Sequence, residues 1–263
     1  FEGPARARLL GFQQTSGGAA SVIALLPAGG LADWAGWRAP FAIYLAAFAI
    51  LAIAAAVIPA GAARPTDRKQ AGDFGALVRL WPIYALQFAL FFAYFMTSVQ
   101  LAFLLAADGV TSAFTRSIVI ALGVLAGAGA GAVYGRALGA LGERGIPLSA
   151  MALMAIGFAI VGTAASLPPV AVGCALAGGG GGLLSPFISG RLLAAAPEPV
   201  RPRALGLMFT TIYVADFLNP VLVKPVRTAL GIQAAYLVVA GLLAAGLVAF
   251  WLRAAGARRQ PAT

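Results

Sequence analysis

The sequence predicts an all-α membrane protein with eight transmembrane helices, and three observations carry that prediction. Of 263 residues, 61% are hydrophobic and 10% are charged, whereas an average soluble domain has about a quarter charged residues. The apolar residues gather into stretches long enough to cross a hydrocarbon core of about 30 Å, which takes roughly 20 residues of helix. The basic residues punctuate those stretches, with a strong bias to one side of the membrane.

Taken in order, the spans are expected at about 14–33, 39–60, 78–106, 113–136, 147–166, 169–191, 204–224 and 229–252. The breaks between them, such as "ADGVTS", "GALGERGIP", "SLPP" and "APEPVRPR", are short and rich in Gly, Pro and charge. No soluble domain fits between any pair. The opening "FEGPARARLLGFQQ" has neither an initiator Met nor a signal-peptide pattern. It reads as a polar loop leading into the first helix of a fragment that begins mid-protein. The longest break, 61–76, holds Pro65, Asp67, Arg68, Lys69, Gln70 and Asp73 and is the best linker. It divides the chain into two helices (1–60), a central loop (61–76), and six helices with a short tail (77–263).

Charge gives the orientation. Alternating sides, one face collects fourteen bases: Arg6, Arg8, Arg64, Arg68, Lys69, Arg79, Arg136, Arg144, Arg191, Arg201, Arg203, Arg253, Arg258 and Arg259. The other collects four, namely Arg38, Arg116, Lys224 and Arg227. By the positive-inside rule both ends of the chain are cytoplasmic, and the central loop with them. The bases are dispersed between apolar runs, unlike the concentrated patch of a nucleic-acid binder, so no nucleic-acid partner is expected. With no histidine and a lone Cys174, zinc clusters, imidazole chemistry and a disulfide scaffold are excluded. No cluster of acids or thiols suggests an enzyme, a metal or a cofactor.

Two helices carry polar groups that lipid would not accommodate. In the third span Tyr84, Gln87, Phe91, Tyr94 and Ser98 recur every three or four residues, within an arc of about 80° at 100° per residue. Such a stripe turns either to a water-filled cavity or to a neighbouring helix that it hydrogen-bonds. In the seventh span Asp216 is the one carboxylate away from a loop or helix end; Asp33, Asp67, Asp73, Asp108, Glu143 and Glu198 are boundary residues, and Glu2 is near the terminus. It lies thirteen residues beyond Arg203, roughly 20 Å of helical rise. An acid at that depth costs about 2.5 to 3.5 kcal/mol on insertion scales unless it is solvated, paired or protonated. Protonation there is what a proton-coupling site needs. Tyr213 and Asn219, three residues to either side, share its face and either bind solute or satisfy the acid. Arg116 either snorkels to the interface or pairs with Asp108 or Asp216.

The run Gly178 to Gly182 lacks the Lys-Ser/Thr sequel of a phosphate loop and the polar flanks of a linker. It falls inside the sixth span, where Gly178 and Gly182 form a Gly-x-x-x-Gly face for close helix approach and Pro186 supplies a kink. Packing alone, or packing plus a hinge, fits that pattern.

Three stretches resemble the major facilitator superfamily with its first four helices missing. "GGLADWAGWRAPF", from Gly29, resembles the exit from its fifth helix and the start of its sixth. "YGRALGALGERG", with Gly135, Arg136, Glu143 and Arg144, is similar to the loop between its helices eight and nine. "RPRALGLMFTTIYVADFLNPVL" resembles the start of its helix eleven, with Asp216 where that motif usually has Gln. The departures are Pro27 directly before the residue preceding Gly29 and Gly30, where the antiporter signature has Gly-Pro farther upstream, and Ala140 and Leu141 in place of an Asp-Arg pair. The resemblance implies a major facilitator-type bundle: the last two helices of the N-terminal half plus a complete C-terminal six-helix half, in the cell inner (plasma) membrane. It implies proton-coupled efflux of a small organic solute by alternating access, with the third span on the substrate path. Arg136, Glu143 and Arg144 then form a cytoplasmic latch or serve only as positive-inside anchors. The partners are the lipid bilayer, the solute, protons and four missing N-terminal helices of the same protein. The alternative is a truncated, non-transporting membrane scaffold or decayed fragment.

Overall fold

The computed structural model describes residues 3–57 and 74–257. Most of the expected central loop, with Pro65, Asp67, Arg68, Lys69, Gln70 and Asp73, lies outside the described residues, as do Glu2, Arg258 and Arg259. Among the described residues there is no strand. In chain order come α1 (Gly3–Ala35), a 3-10 segment (Ala39–Leu45) running into α2 (Ala46–Val57), α3 (Phe74–Val78), and α4 (Trp81–Tyr94). A 3-10 turn (Phe95–Thr97) links α4 to α5 (Val99–Ala107), and α6 (Ala113–Thr163), α7 (Leu167–Ala195), α8 (Arg201–Leu230) and α9 (Ile232–Ala257) follow.

Seven helices are long and apolar enough to cross a membrane, and one of them, α6, has 51 residues. A straight helix of that length would rise about 76 Å, more than twice a hydrocarbon core. It does not run straight: Gly142 has φ 69° and ψ 176°, a conformation that a residue with a Cβ rarely adopts. The packing shows the reversal. Gly123 lies against Cys174, and Gly157 against Gly173, so residues 34 positions apart in sequence meet the same turn of α7. We call the halves α6a (113–141) and α6b (143–163). Counted this way, the described residues make eight spans.

Two sequence expectations are corrected. The opening expected as a polar loop is helical from Gly3 onward, with Pro4 in the first turn, where a missing N–H costs nothing; no break separates the arginines from the apolar run. The third span, expected as one helix, is interrupted by the 3-10 turn.

In lipid there is no hydrophobic drive between helices, so close packing and hydrogen bonds must hold them. Helix α7 is the centre. Four of its five consecutive glycines are closed off, each against a neighbour: Gly178 against Gly123, Gly182 against Gly127, Gly180 against Ala150 and Met154, and Gly181 against the Tyr94 ring. Gly179 faces open space. A Cβ on Gly180 would come 2.5 Å from the Ala150 carbonyl oxygen, and one on Gly157 would come equally near that of Gly173. Around this centre, α1 runs along α6a, with Gly11 against Gly131 and Gly18 against Ala128. Helix α9 runs along α6b, with Leu237 against Gly162 and Met151 against Gly246. Helix α2 has no buried residue.

Candidate functional site

A cavity of about 410 Å³ opens between α1, α4, α6a, α7 and α8. Helix α1 gives it Gln13, Gln14, Gly17 and Ser21, one stripe at spacings of three and four. Helix α7 gives Ser185, Pro186 and Ser189, and α8 gives Leu205, Met208, Phe209 and Ile212; Tyr94 and Val124 complete the wall. The space exists because the side chains are small where the helices meet: a Cβ on Gly17 would touch nothing within 4 Å. Among the described residues lining it, none is charged. What it offers is amides, hydroxyls, a thioether and aromatic edges. The Ser189 hydroxyl donates to the Ser185 carbonyl at 2.9 Å and lies 3.7 Å from the Met208 sulfur. That leaves its oxygen lone pairs as acceptors. The Tyr94 ring is fixed by Gly181 below it and by edge contacts with Phe91 and Phe95 at 6.0 and 5.9 Å between centroids.

The third-span stripe is divided between this cavity and a seam. Tyr94 lines the cavity. Tyr84 donates to the Ala204 carbonyl at 3.2 Å, and Gln87, fully buried, donates from Nε2 to the Met208 carbonyl at 2.9 Å. Both bonds tie α4 to α8, and Gln87 Oε1 has no partner among the described residues. Phe91 packs against Tyr94, while the Ser98 hydroxyl turns back to the Phe95 carbonyl at 3.5 Å.

The trio on α8 is not a cluster. Asn219 is fully buried and faces the break in the third span: its Nδ2 donates to the Phe92 carbonyl at 2.9 Å, and its Oδ1 accepts from Gln100 Nε2 at 2.9 Å. Arg227 extends the network, donating to Gln100 Oε1 at 3.4 Å and stacking over the Phe103 ring at 4.5 Å. The Tyr236 hydroxyl donates to the Met96 carbonyl at 2.8 Å. Carbonyls freed where a helix breaks must be satisfied inside the protein, and Asn219 and Tyr236 do this from two other helices. Tyr213 is 68% exposed. Asp216 is half-buried and makes no hydrogen bond or ion pair among the described residues. Its register is informative: Leu205, Phe209 and Ile212 line the cavity at spacings of four and three, and Asp216 continues that face by one turn.

Arg116 pairs with neither acid; it donates to the Thr111 carbonyl at 3.0 Å and the Ser112 carbonyl at 3.5 Å. At the opposite end, Arg136 and Gly135 share a pocket of about 520 Å³ with Arg8. Glu143 pairs with Arg191 at 2.9 Å, both well exposed, and Arg144 is exposed. Pro27 is exposed on α1, Gly29 is buried against Ser117 and Ala113, and Gly30 lies near Phe114. Pro186, buried in α7, lines the cavity. Among the described residues no group of three or more acids or thiols could hold a metal.

Sequence reasoning missed Gln13, Gln14, Ser21, Ser185 and Ser189. The signal was present: Gln14, Gly17, Gly18 and Ser21 repeat with helical spacing, and Ser185 and Ser189 are one turn apart around Pro186. Placing the first helix from residue 14 left Gln13 in the expected loop.

Comparison with known proteins agrees with this architecture. The family model described as Major Facilitator Superfamily matches residues 1–220. A search of curated proteins finds no match. The crystal structure of the human organic anion transporter MFSD10 (TETRAN) superposes with a TM-score of 0.58 at 22% identity. The match covers 68% of this chain and 42% of that one, so the chain spans less than half the length of this structural neighbour.

Proposed function

The chain belongs to the major facilitator superfamily, and on that premise we propose that it forms part of a secondary transporter that moves a small organic solute by alternating access, coupled to protons and in the direction of export. The observation that carries the proposal is the cavity between α1 and the helices after residue 74. Most of its residues come from the N-terminal part of α1, the C-terminal half of α7 and the N-terminal half of α8. Those are the ends that carry Arg8, Arg191 and Arg201, the side that the charge bias assigns to the cytoplasm. The cavity therefore belongs to a cytoplasm-facing state, and the membrane is the cell inner (plasma) membrane, with both chain ends inside. Residues 1–60 act as the end of the N-terminal half and 77–263 as the C-terminal half, around a cytoplasmic central loop.

The wall selects a solute class. MFSD10 is described as an organic anion transporter. An anion drawn into a site of low polarity needs a cationic or dense hydrogen-bonding partner, and the described residues of this wall include no cation. We therefore assign it uncharged, hydrogen-bonding solutes with an apolar body, held by Gln13, Gln14, Ser185, Ser189 and Tyr94. Asp216, one turn beyond Ile212 on the cavity face of α8, is the proton site: an intramembrane carboxylate without a partner is functional by default. The test is the full-length protein in proteoliposomes with a pH gradient. Asp216→Asn is expected to abolish proton-driven flux while solute exchange persists; unchanged driven flux would remove Asp216 as the coupling site.

A further inference from the structure

We infer that Asp33 is a latch that holds α1 against α6a at the end opposite the cavity mouth. Its carboxylate accepts three hydrogen bonds at the start of α6: from the Ser112 hydroxyl at 2.7 Å, the Ala113 N–H at 2.7 Å and the Phe114 N–H at 2.9 Å. Ser112 is itself the N-cap of α6, its oxygen accepting from the Thr115 N–H at 3.1 Å. Three of the N–H groups that a helix start leaves without an intrahelical partner are thus covered by two side chains, one of them from a different helix. A carboxylate at that position also meets the positive end of the helix dipole.

Gly29, one turn before Asp33, makes the contact possible. It is buried against α6a, and a Cβ there would lie 2.9 Å from the Ser117 Cβ and 3.0 Å from the Ala113 carbonyl oxygen. The small residue lets the backbones approach, and the acid one turn on then reaches the amides. Elsewhere the α1 and α6a seam is held by small residues and by the Thr15 hydroxyl, which donates to the Ala128 carbonyl at 2.9 Å. The Asp33 contact differs in kind, a carboxylate on backbone amides, and it sits at a helix terminus, where parting the two helices exposes the amides to water that can replace the carboxylate. Such a contact can break and reform, unlike the backbone-to-backbone glycine packing of α7.

The inference rests on the reading of the cavity as the transport path, because the path opens to the other side only if α1 and α6a part at this end. In the full-length protein, spin labels at Trp37→Cys and Thr111→Cys flank the contact, and double electron–electron resonance reads the distance between them. The unaltered protein is expected to show one dominant short distance. Asp33→Ala is expected to shift the ratio of long to short distances by about twofold to thirtyfold, the equivalent of a lost helix cap. Asp33→Asn, which keeps an acceptor but not the charge, is expected to fall between, and Ser112→Ala to give a smaller shift in the same direction. A static helix cap would lower thermal stability without moving the distances. Unchanged distances in folded Asp33→Ala or Ser112→Ala protein would overturn the latch. Neither result depends on flux, so a shift in distances without transport of any solute would leave the latch standing and defeat the transport reading.

Discussion

The seams on the two sides of α7 and α8 hold their helices by opposite means. Between α6 and α7 the contact is made of missing side chains: Gly123 and Gly127 face Gly178 and Gly182, while Gly157 faces Gly173, with backbone against backbone. Between α4–α5 and α8 it is made of hydrogen bonds from Tyr84, Gln87, Gln100 and Asn219, centred on a break in the helix. The first kind of seam has no alternative partner and no room to slide. The second consists of bonds that can be exchanged for others of similar strength, and it borders the cavity through Met208. Lipid supplies no hydrophobic drive for either, so a protein that must be rigid in one place and mobile in another has these two devices to choose from.

The contrast can be broken experimentally. The largest effect is expected from Gly182→Leu, which drives a side chain into the Gly127 backbone. Overpacking a core costs about 1–3 kcal/mol where neighbours can shift, and backbone cannot, so little folded protein should survive in size-exclusion chromatography. Next is Asn219→Ala. It leaves the Phe92 carbonyl and Gln100 short of partners, a cost of about 1–3 kcal/mol, visible as a lowered thermal midpoint with the protein still folded. Gln87→Leu sharpens the distinction within the polar seam: because Gln87 Oε1 already lacks a donor, the loss should be under about 1 kcal/mol. Gly179→Ala should be neutral or slightly stabilising, since nothing lies within 4 Å of a Cβ there and helix propensity improves by about 1 kcal/mol. Smallest is Glu143→Gln; the exposed Glu143–Arg191 pair should change stability by less than about 1 kcal/mol.

The sequence made the bundle legible and the site only partly so, for a physical reason. Span number and order follow from hydropathy and punctuation, which are properties of single helices. "GALGERGIP" marked the reversal that Gly142 makes, and the Gly-x-x-x-Gly spacing marked the surface that meets Gly123 and Gly127. What one helix faces depends on its neighbours, and periodicity does not name them. The stripe from Tyr84 to Ser98 is real as a face, yet its first half turns to α8 and Tyr94 to the cavity. Asp33 looked like an ordinary boundary residue because its partners are 79 to 81 positions away in sequence. Gln13 and Gln14 were hidden by arginines nearby that suggested a loop.

The neutral wall between α1, α7 and α8 is proposed as a solute path. Flux through the full-length protein in proteoliposomes, compared for an uncharged amphipathic solute and an anion of the same size with Ser189→Leu as the blocked variant, tests it most directly. Flux of the uncharged solute is expected, with at least about tenfold less flux of the anion and loss of flux in Ser189→Leu protein that remains folded. Equal flux in the Ser189→Leu variant, or preference for the anion, would contradict it.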